Sequence, residues 1–246
     1  MLASVLDLLY PRRCAGCGSG EWPFCPSCRE GLVTLLPPWC ARCGRPWEEP
    51  LSSCSDCPPQ AIAGVRAPFL YRGPARAALH RLKFAGWRAV GGALGAAMAS
   101  VNGFAPDAIT WVPLSRSRRS RRGYDQAAAL AASVASILRV PSVRMLERTR
   151  DTPAQARRTG PERRKAMRGA FRWAGRSPPP ARVLLVDDVL TTGATAAECA
   201  RVLRSAGART VHLLTAARAL SGPLPARCYT APDSRLSLWL PGDRPR

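Results

Sequence analysis

Residues 183–195 read VLLVDDVLTTGAT, and this stretch decides the fold. Val183, Leu184, Leu185 and Val186 make an apolar run of the kind a buried strand requires. The run leads into adjacent carboxylates, Asp187 and Asp188, and then into a hydroxyl-rich turn with one glycine. A helix is expected from about residue 195 to 206, with Gly207 placed as its C-cap. In that layout the amides of Thr191, Thr192, Gly193, Ala194 and Thr195 can converge on one phosphate, aided by hydroxyls and by the positive end of the helix. Gly193 permits the tight approach. The two carboxylates would stand at the carboxyl end of the strand, where open α/β sheets bind ligands. Carboxylates repel phosphate but suit sugar hydroxyls or Mg2+, so the stretch predicts a site for a phosphorylated sugar rather than a bare anion.

Outward from this unit the same alternation continues. A strand is expected at 211–214 and another at 108–112, ending at Pro113; a third candidate lies at 143–146. Residues 79–98 read as mainly helical despite their glycines, and 124–138 as a good helix. Residues 149–172 are polar and basic and read as a loop flowing into a helix, while SPPP at 177–180 marks a turn or a stiff exposed segment. Strands alternating with helices argue for an α/β fold with a mainly parallel sheet.

The first sixty residues have another texture. They hold four CxxC pairs: Cys14/Cys17, Cys25/Cys28, Cys40/Cys43 and Cys54/Cys57. Cysteines three apart place two thiolates on one ion, and a closed structural zinc site takes four ligands, so four pairs serve two Zn2+. The ferredoxin spacing is absent, which argues against an iron–sulfur cluster. Three pairwise partitions exist; the sequential one joins the first two pairs and the last two. Gly18 and Gly44 follow the second cysteine of their pairs, where a positive φ is tolerated. A module this small needs metal for much of its stability. Trp22, Trp39 and Trp47 are expected to pack around the knuckles, and residues 2–10 to form a short amphipathic helix. The boundary is placed at CPPQ, giving 1–60 and 61–246. Cys199 and Cys228 read as small apolar residues, and His80 and His212 as structural.

The 246 residues carry 37 Lys plus Arg against 16 Asp plus Glu, a net charge of +21. Eight thiolates and two Zn2+ would bring this to +17, still strongly basic, so nucleic acid, phosphate esters or an acidic protein are the fitting counterparts. Only Lys83 and Lys165 are lysines. At 46% hydrophobic residues, wholesale disorder is excluded. The Gly- and Ala-rich low-charge stretch at 89–101 is too short to span a bilayer. The opening MLASVLDLLYP lacks a basic n-region, and a cytoplasmic protein with no membrane insertion is expected.

The motif at 183–195 resembles that of the type I phosphoribosyltransferases, which bind phosphoribosyl pyrophosphate (PRPP). Together with the four CxxC pairs, LKFAG at 82–86, VPLSRSRRSRRGYDQA at 112–127, RTRDTPAQ at 148–155 and ERRKAMRGAF at 162–171, the whole chain is similar to the ComF family. That resemblance implies a double zinc ribbon followed by a phosphoribosyltransferase-like domain. It implies that Asp187 and Asp188 hold ribose hydroxyls as the catalytic pair and that 191–195 cradle the 5′-phosphate. Pro113, Leu114, Ser115, Arg116 and Arg122 would meet pyrophosphate. Arg148, Thr152, Gln155, Arg164 and Lys165 would belong to a mobile basic loop closing over PRPP. Two structural Zn2+, and Mg2+ arriving with PRPP, are the implied ions. The implied activity is pentosyl transfer with release of pyrophosphate, to an unnamed acceptor. Single-stranded DNA and a competence helicase or other DNA-processing protein are implied partners, with a role in natural competence or nucleotide metabolism. Transfer to a nucleobase-like nitrogen without any DNA role, and a non-enzymatic zinc-ribbon adaptor, are the alternatives. Three residues depart from the family pattern: Asp125 and Ala166 each replace an Asn, and Ala194 replaces a common Gly.

Overall fold

A computed structural model describes residues 13–84, 87–151 and 160–229, with the backbone alone at 160, 161, 163 and 164. The expected helix at 2–10 lies outside the described residues. At the centre is a parallel sheet in which β6 (Arg182–Leu190) pairs with β7 (Thr210–Arg218) on one side and β3 (Ala108–Trp111) on the other. Two short strands, β1 (Gly64–Arg66) and β2 (Phe69–Leu70), follow one another along the outer edge of β7, also parallel to it.

The period of two along β6 sorts its side chains between two cores. Leu184 and Val186 join Leu214, Leu79, Leu94 and Leu130 on one face; Val183 and Leu185 join Leu213, Cys199 and Leu203 on the other. The first face is covered by α2 (Gly73–Phe84), α3 (Ala89–Ser100) and α5 (Gln126–Leu138). The expected helix at 79–98 is thus parts of two helices. The glycines of α3 serve close packing: a Cβ on Gly95 would stand 2.3 Å from Ser133 Oγ of α5. The second face is covered by α7 (Ala194–Ser205) and by an antiparallel hairpin of β4 (Leu146–Arg148) and β5 (Phe171–Trp173).

Several expected bounds shift for physical reasons. β6 runs past the carboxylates to Leu190 because β7 continues beside it, with Val189 opposite Ala217 and Leu190 opposite Arg218. The strand expected at 143–146 is divided. Residues 141–143 lie along β3, where Ile109 donates to Pro141 O and Val143 to Ile109 O at 2.9 Å each, and the chain then peels away into β4. The arginine run forms a helix of its own, α4 (Arg116–Arg122), ended by Gly123 at φ 72°. A further helix, α6 (Gly160–Met167), precedes the hairpin's second strand.

The described part of the cysteine-bearing segment, which includes a short helix α1 (Pro26–Glu30), lies against the sheet's β1/β2 edge and α2. Leu35 donates to Pro68 O at 2.8 Å and Leu70 to Val33 O at 2.9 Å. Cys14, Ala15, Phe24 and Leu32 share an apolar cluster with Leu79 and Leu184, so described residues on both sides of residue 60 bury one another. Among the described residues no helix is long and apolar enough to cross a membrane.

Candidate functional site

The turn after β6 has the geometry its sequence calls for. Gly193 sits at φ 72° as the N-cap of α7, a conformation that costs an L-residue about 1–2 kcal/mol. Helix α7 begins at Ala194, one residue earlier than expected, so Thr191 and Thr192 form the open part of the turn and Thr195 lies in the first helical turn. Thr195 Oγ1 rests 3.6 Å from Met167 Sδ. Ala194 is buried, with its backbone in ordinary helical form, so the missing glycine needs no compensation.

Asp187 and Asp188 are half-buried on the C-terminal part of β6. The Asp188 amide donates to Asp187 Oδ1 at 2.8 Å. Burial first, and the neighbouring Asp188 charge second, push the Asp187 carboxyl up to about 8. Asp188 has a direct cationic partner that the sequence did not announce: Lys83 Nζ lies 2.8 Å from its Oδ2, with the two side chains only 20% and 16% exposed. Two signals were available: LKFAG at 82–86 is one of the stretches that carry the resemblance, and Lys83 is a lysine in a chain whose cations are otherwise almost all arginine.

The loop after β3 faces the same end of the sheet. Asp125 caps α5 by accepting from the Ala128 amide, and it also accepts from the Leu114 amide at 3.1 Å. The two backbone amides use one carboxylate oxygen each, and an Asn would offer a single acceptor oxygen beside a donor NH2, so Asp suits this pair of donors. Burial raises its carboxyl against those two hydrogen bonds. The Leu114 N–H is therefore committed internally. Ser115, buried, and Arg116, exposed, border a hollow of about 330 Å3 with Arg148, Arg150, Asp151 and Arg172. Arg122 turns the other way, donating to Gln126 Oε1 at 2.7 Å and lying over the Phe84 ring. Thus Ser115, Arg116 and Arg148 come together, whereas Arg122 stands apart and Lys165 lines a second hollow of about 450 Å3 against Ala194, Pro59 and Arg201. Thr152, Gln155 and the side chain of Arg164 lie outside the described residues. Ala166 contributes its carbonyl, which accepts from Arg150 at 3.4 Å.

The eight cysteines gather into two groups, Cys14, Cys17, Cys25 and Cys28, and Cys40, Cys43, Cys54 and Cys57, with sulfurs within 4.8 Å of one another in each. A zinc tetrahedron with 2.3 Å bonds has sulfur–sulfur edges of about 3.8 Å. Cys17 and Cys25 are 3.8 Å apart, Cys40 and Cys57 3.6 Å, and Cys43 and Cys54 3.4 Å. Amides point at sulfur as in a metal knuckle: Gly16 and Cys25 donate to Cys14 Sγ at 3.3 Å, Cys54 to Cys57 Sγ at 3.2 Å. Gly18 and Gly44 adopt φ of 89° and 69°. The donor set fits zinc, and since four thiolates close each site, the metal's role is structural. Trp39 and Trp47 pack under the guanidinium groups of Arg66 and Arg45, and Trp22 against the core. His212 stacks on Phe104 at 4.0 Å, and Cys199 and Cys228 are fully buried.

Residues 5–58 match the double zinc ribbon domain family and 125–232 the phosphoribosyl transferase domain family. Competence protein F of Haemophilus influenzae is 29% identical over 209 residues, covering 80% of this chain and 90% of that protein. DNA utilization protein YhgH of Shigella flexneri is 31% identical over 219 residues, covering 82% and 92%. Among solved structures, the allosteric regulatory enzyme of purine biosynthesis aligns with a TM-score of 0.40 and 22% identity, over 55% of this chain and 27% of that one.

Proposed function

The chain belongs to the ComF family, together with competence protein F and DNA utilization protein YhgH, and from that premise we propose that it binds PRPP as its magnesium complex and acts in the handling of single-stranded DNA. The single observation that carries this reading is the turn at Gly193, a positive-φ N-cap that opens a 12-residue helix directly after a strand bearing two carboxylates. In this reading the amides and hydroxyls of Thr191, Thr192, Gly193, Ala194 and Thr195 hold the 5′-phosphate. Asp187 and Asp188 hold the ribose hydroxyls, and Lys83 fixes the direction of Asp188. Pyrophosphate lies toward Pro113, Ser115 and Arg116, with Arg148 facing it across the hollow. The chain divides at about residue 60 into the zinc ribbon and the PRPP-binding part.

A transferase step follows from the same arrangement. The C1–pyrophosphate bond breaks with its electron pair on pyrophosphate, a nitrogen acceptor forms the new C1–N bond, and its proton passes to solvent. The arginines compensate the charge that builds on the leaving group. A net charge that stays at +17 with both zincs bound supports contact with DNA through phosphates.

Calorimetric titration of Mg–PRPP into zinc-loaded protein tests the reading, with a Thr192→Ala plus Asp188→Ala double variant as control. Saturable heat that the variant abolishes is expected. Silence at two temperatures from folded protein would reject PRPP binding and leave a zinc-ribbon adaptor. The DNA arm is separate: binding of an oligodeoxynucleotide should weaken steeply with salt, and absence of binding at low salt would reject it.

A further inference from the structure

Beside the carboxylate site stands an aromatic side chain that neither the fold nor the PRPP reading uses. Phe84 is the last residue of α2 and is 63% exposed, the most exposed of the large apolar side chains among the described residues. Its neighbour Lys83 contacts Asp188, so the ring leaves the same end of α2 that carries the cation of the proposed ribose site. The Arg122 guanidinium lies 4.9 Å from the ring centroid, and the His80 ring packs against it at 4.6 Å, tilted by 43°. Arg122 is held in place by Gln126 Oε1 at 2.7 Å, and the charge of Asp188 acts on its guanidinium. A second guanidinium–aromatic pair adjoins: Arg88 lies over Tyr124, whose hydroxyl donates to Leu82 O in the same helical turn as Phe84.

We propose that Phe84, backed by Arg122, is a stacking shelf for the acceptor, a planar nucleobase. At 63% exposure Phe84 keeps ring surface beyond His80 and Arg122 whose covering by a flat apolar face would be favourable. The cationic frame of Arg122, Lys83 and Arg88 does not suit an apolar protein segment. It does suit a flat π-system attached to phosphates, because a ring stacked on Phe84 and flanked by guanidinium groups gains stacking and cation–π attraction together. The position fits the chemistry, since the shelf and the Lys83 cation that holds Asp188 leave the same end of α2. The role as acceptor subsite rests on the PRPP reading; the shelf's affinity for a base does not.

The probe is 2-aminopurine, whose fluorescence is quenched by stacking, offered to zinc-loaded full-length protein as the free base and within an oligothymidylate. Saturable quenching is expected. Phe84→Leu, which keeps an apolar side chain without a ring, should weaken it about 5- to 150-fold, and Phe84→Trp should retain or tighten it. Quenching by the free base identifies a free heterocycle as acceptor; quenching only within the strand identifies a base of single-stranded DNA. No saturable quenching with either probe, or an unchanged affinity in Phe84→Leu, overturns the shelf. Calorimetry with Mg–PRPP on the same variants reads the other proposal separately, because Phe84→Leu should leave that heat unchanged.

Discussion

The two four-cysteine groups share a ligand set but brace different parts of the molecule. The first lies under α2: Arg81 donates to Ala15 O at 2.8 Å and also to Gly16 O, and two residues further along the helix Lys83 holds Asp188. The second lies against the phosphate turn. Arg218, the last residue of β7 and 4% exposed, reaches out to Cys43 O and, at 2.8 Å, to Asp56 O. Arg45 answers from the cysteine side, donating to Ser221 O at 2.9 Å and Pro223 O at 3.0 Å. Pro58, next to the last ligand, lies 3.7 Å from where a Cβ on Gly193 would be. The first site therefore positions the cation beside the carboxylates, and the second the floor of the phosphate turn. A shared ligand set does not make the sites interchangeable; what each one holds is decided by the arginines and prolines around it.

The largest effect expected from this contrast is on metal loading. Structural zinc contributes on the order of 10 kcal/mol or more to folding in small modules. Cys43→Ser strikes a fully buried ligand joined to β7, and it should reduce zinc from two per chain to one and abolish PRPP-dependent heat. Cys17→Ser strikes the exposed ligand of the first group and should leave measurable PRPP binding, weakened through α2. Equal loss from both would show that the ribbon acts as one cooperative block. Next in size is Arg218→Met, which leaves the Cys43 and Asp56 carbonyls without their donor at a cost of about 3 kcal/mol. Urea denaturation of the zinc-loaded protein reads that loss.

How much of this was legible in the sequence follows the same division. The turn at 191–195 and the paired cysteines are local patterns, and the positive-φ glycines Gly18 and Gly44 were readable from them, whereas spacing left three ways to join the cysteine pairs and the structure selects the sequential one. LKFAG at 82–86 marked Lys83 and Phe84 as part of a family pattern, but their contacts, like those of Arg218, could not be read because each partner lies far away along the chain. The strands β1 and β2 were missed because segments of three and two residues carry no periodicity; they exist because β7 offers them an edge. The arginine run gave a charge signal that concealed its helix, since seven residues without an apolar stripe show no 3.6-residue pattern.

Lys83→Met sharpens the comparison from the first site's side. It leaves Asp188 beside Asp187 without its cation, and since both side chains are mostly buried a loss of about 2 kcal/mol is expected, short of the 3–5 kcal/mol of a fully buried pair. Lys83→Arg, bulkier and forked, should recover stability only in part. Gly193→Ala tests the second site's side at about 1–2 kcal/mol, because the left-handed φ becomes unfavourable and the new methyl would meet Leu190 Cδ1 at 3.4 Å. Thermal unfolding with and without Mg–PRPP separates the two: Gly193→Ala should reduce the ligand-induced rise in Tm more than its own stability loss implies.

The smallest effect concerns the tie that holds α7 without help from metal. Glu198 accepts from the Gly169 amide at 2.7 Å and from Arg201 at 2.7 and 2.9 Å, binding the helix to the chain ahead of β5. The Arg201 hydrogen bond, which outweighs the opposing effect of burial, holds the Glu198 carboxyl below its ordinary value of 4.5, with the Gly169 amide adding to it. A carboxyl lowered in the folded state binds fewer protons there than in the unfolded chain, so its stabilisation is fully present above pH 4.5 and fades as pH falls through the folded value. Arg201 is 57% exposed, so screening keeps the pair's worth to about 1 kcal/mol or less. Glu198→Gln should therefore lower Tm slightly at pH 7, and the gap to the parent protein should narrow toward pH 4. Zinc thiolates also protonate in acid, but they do so in both proteins, so the difference between the two isolates the carboxylate. A gap that stayed constant across that range would mean that Glu198 holds α7 by shape and not by charge. The contrast between a metal-held first turn and a charge-held second turn of α7 would then fail.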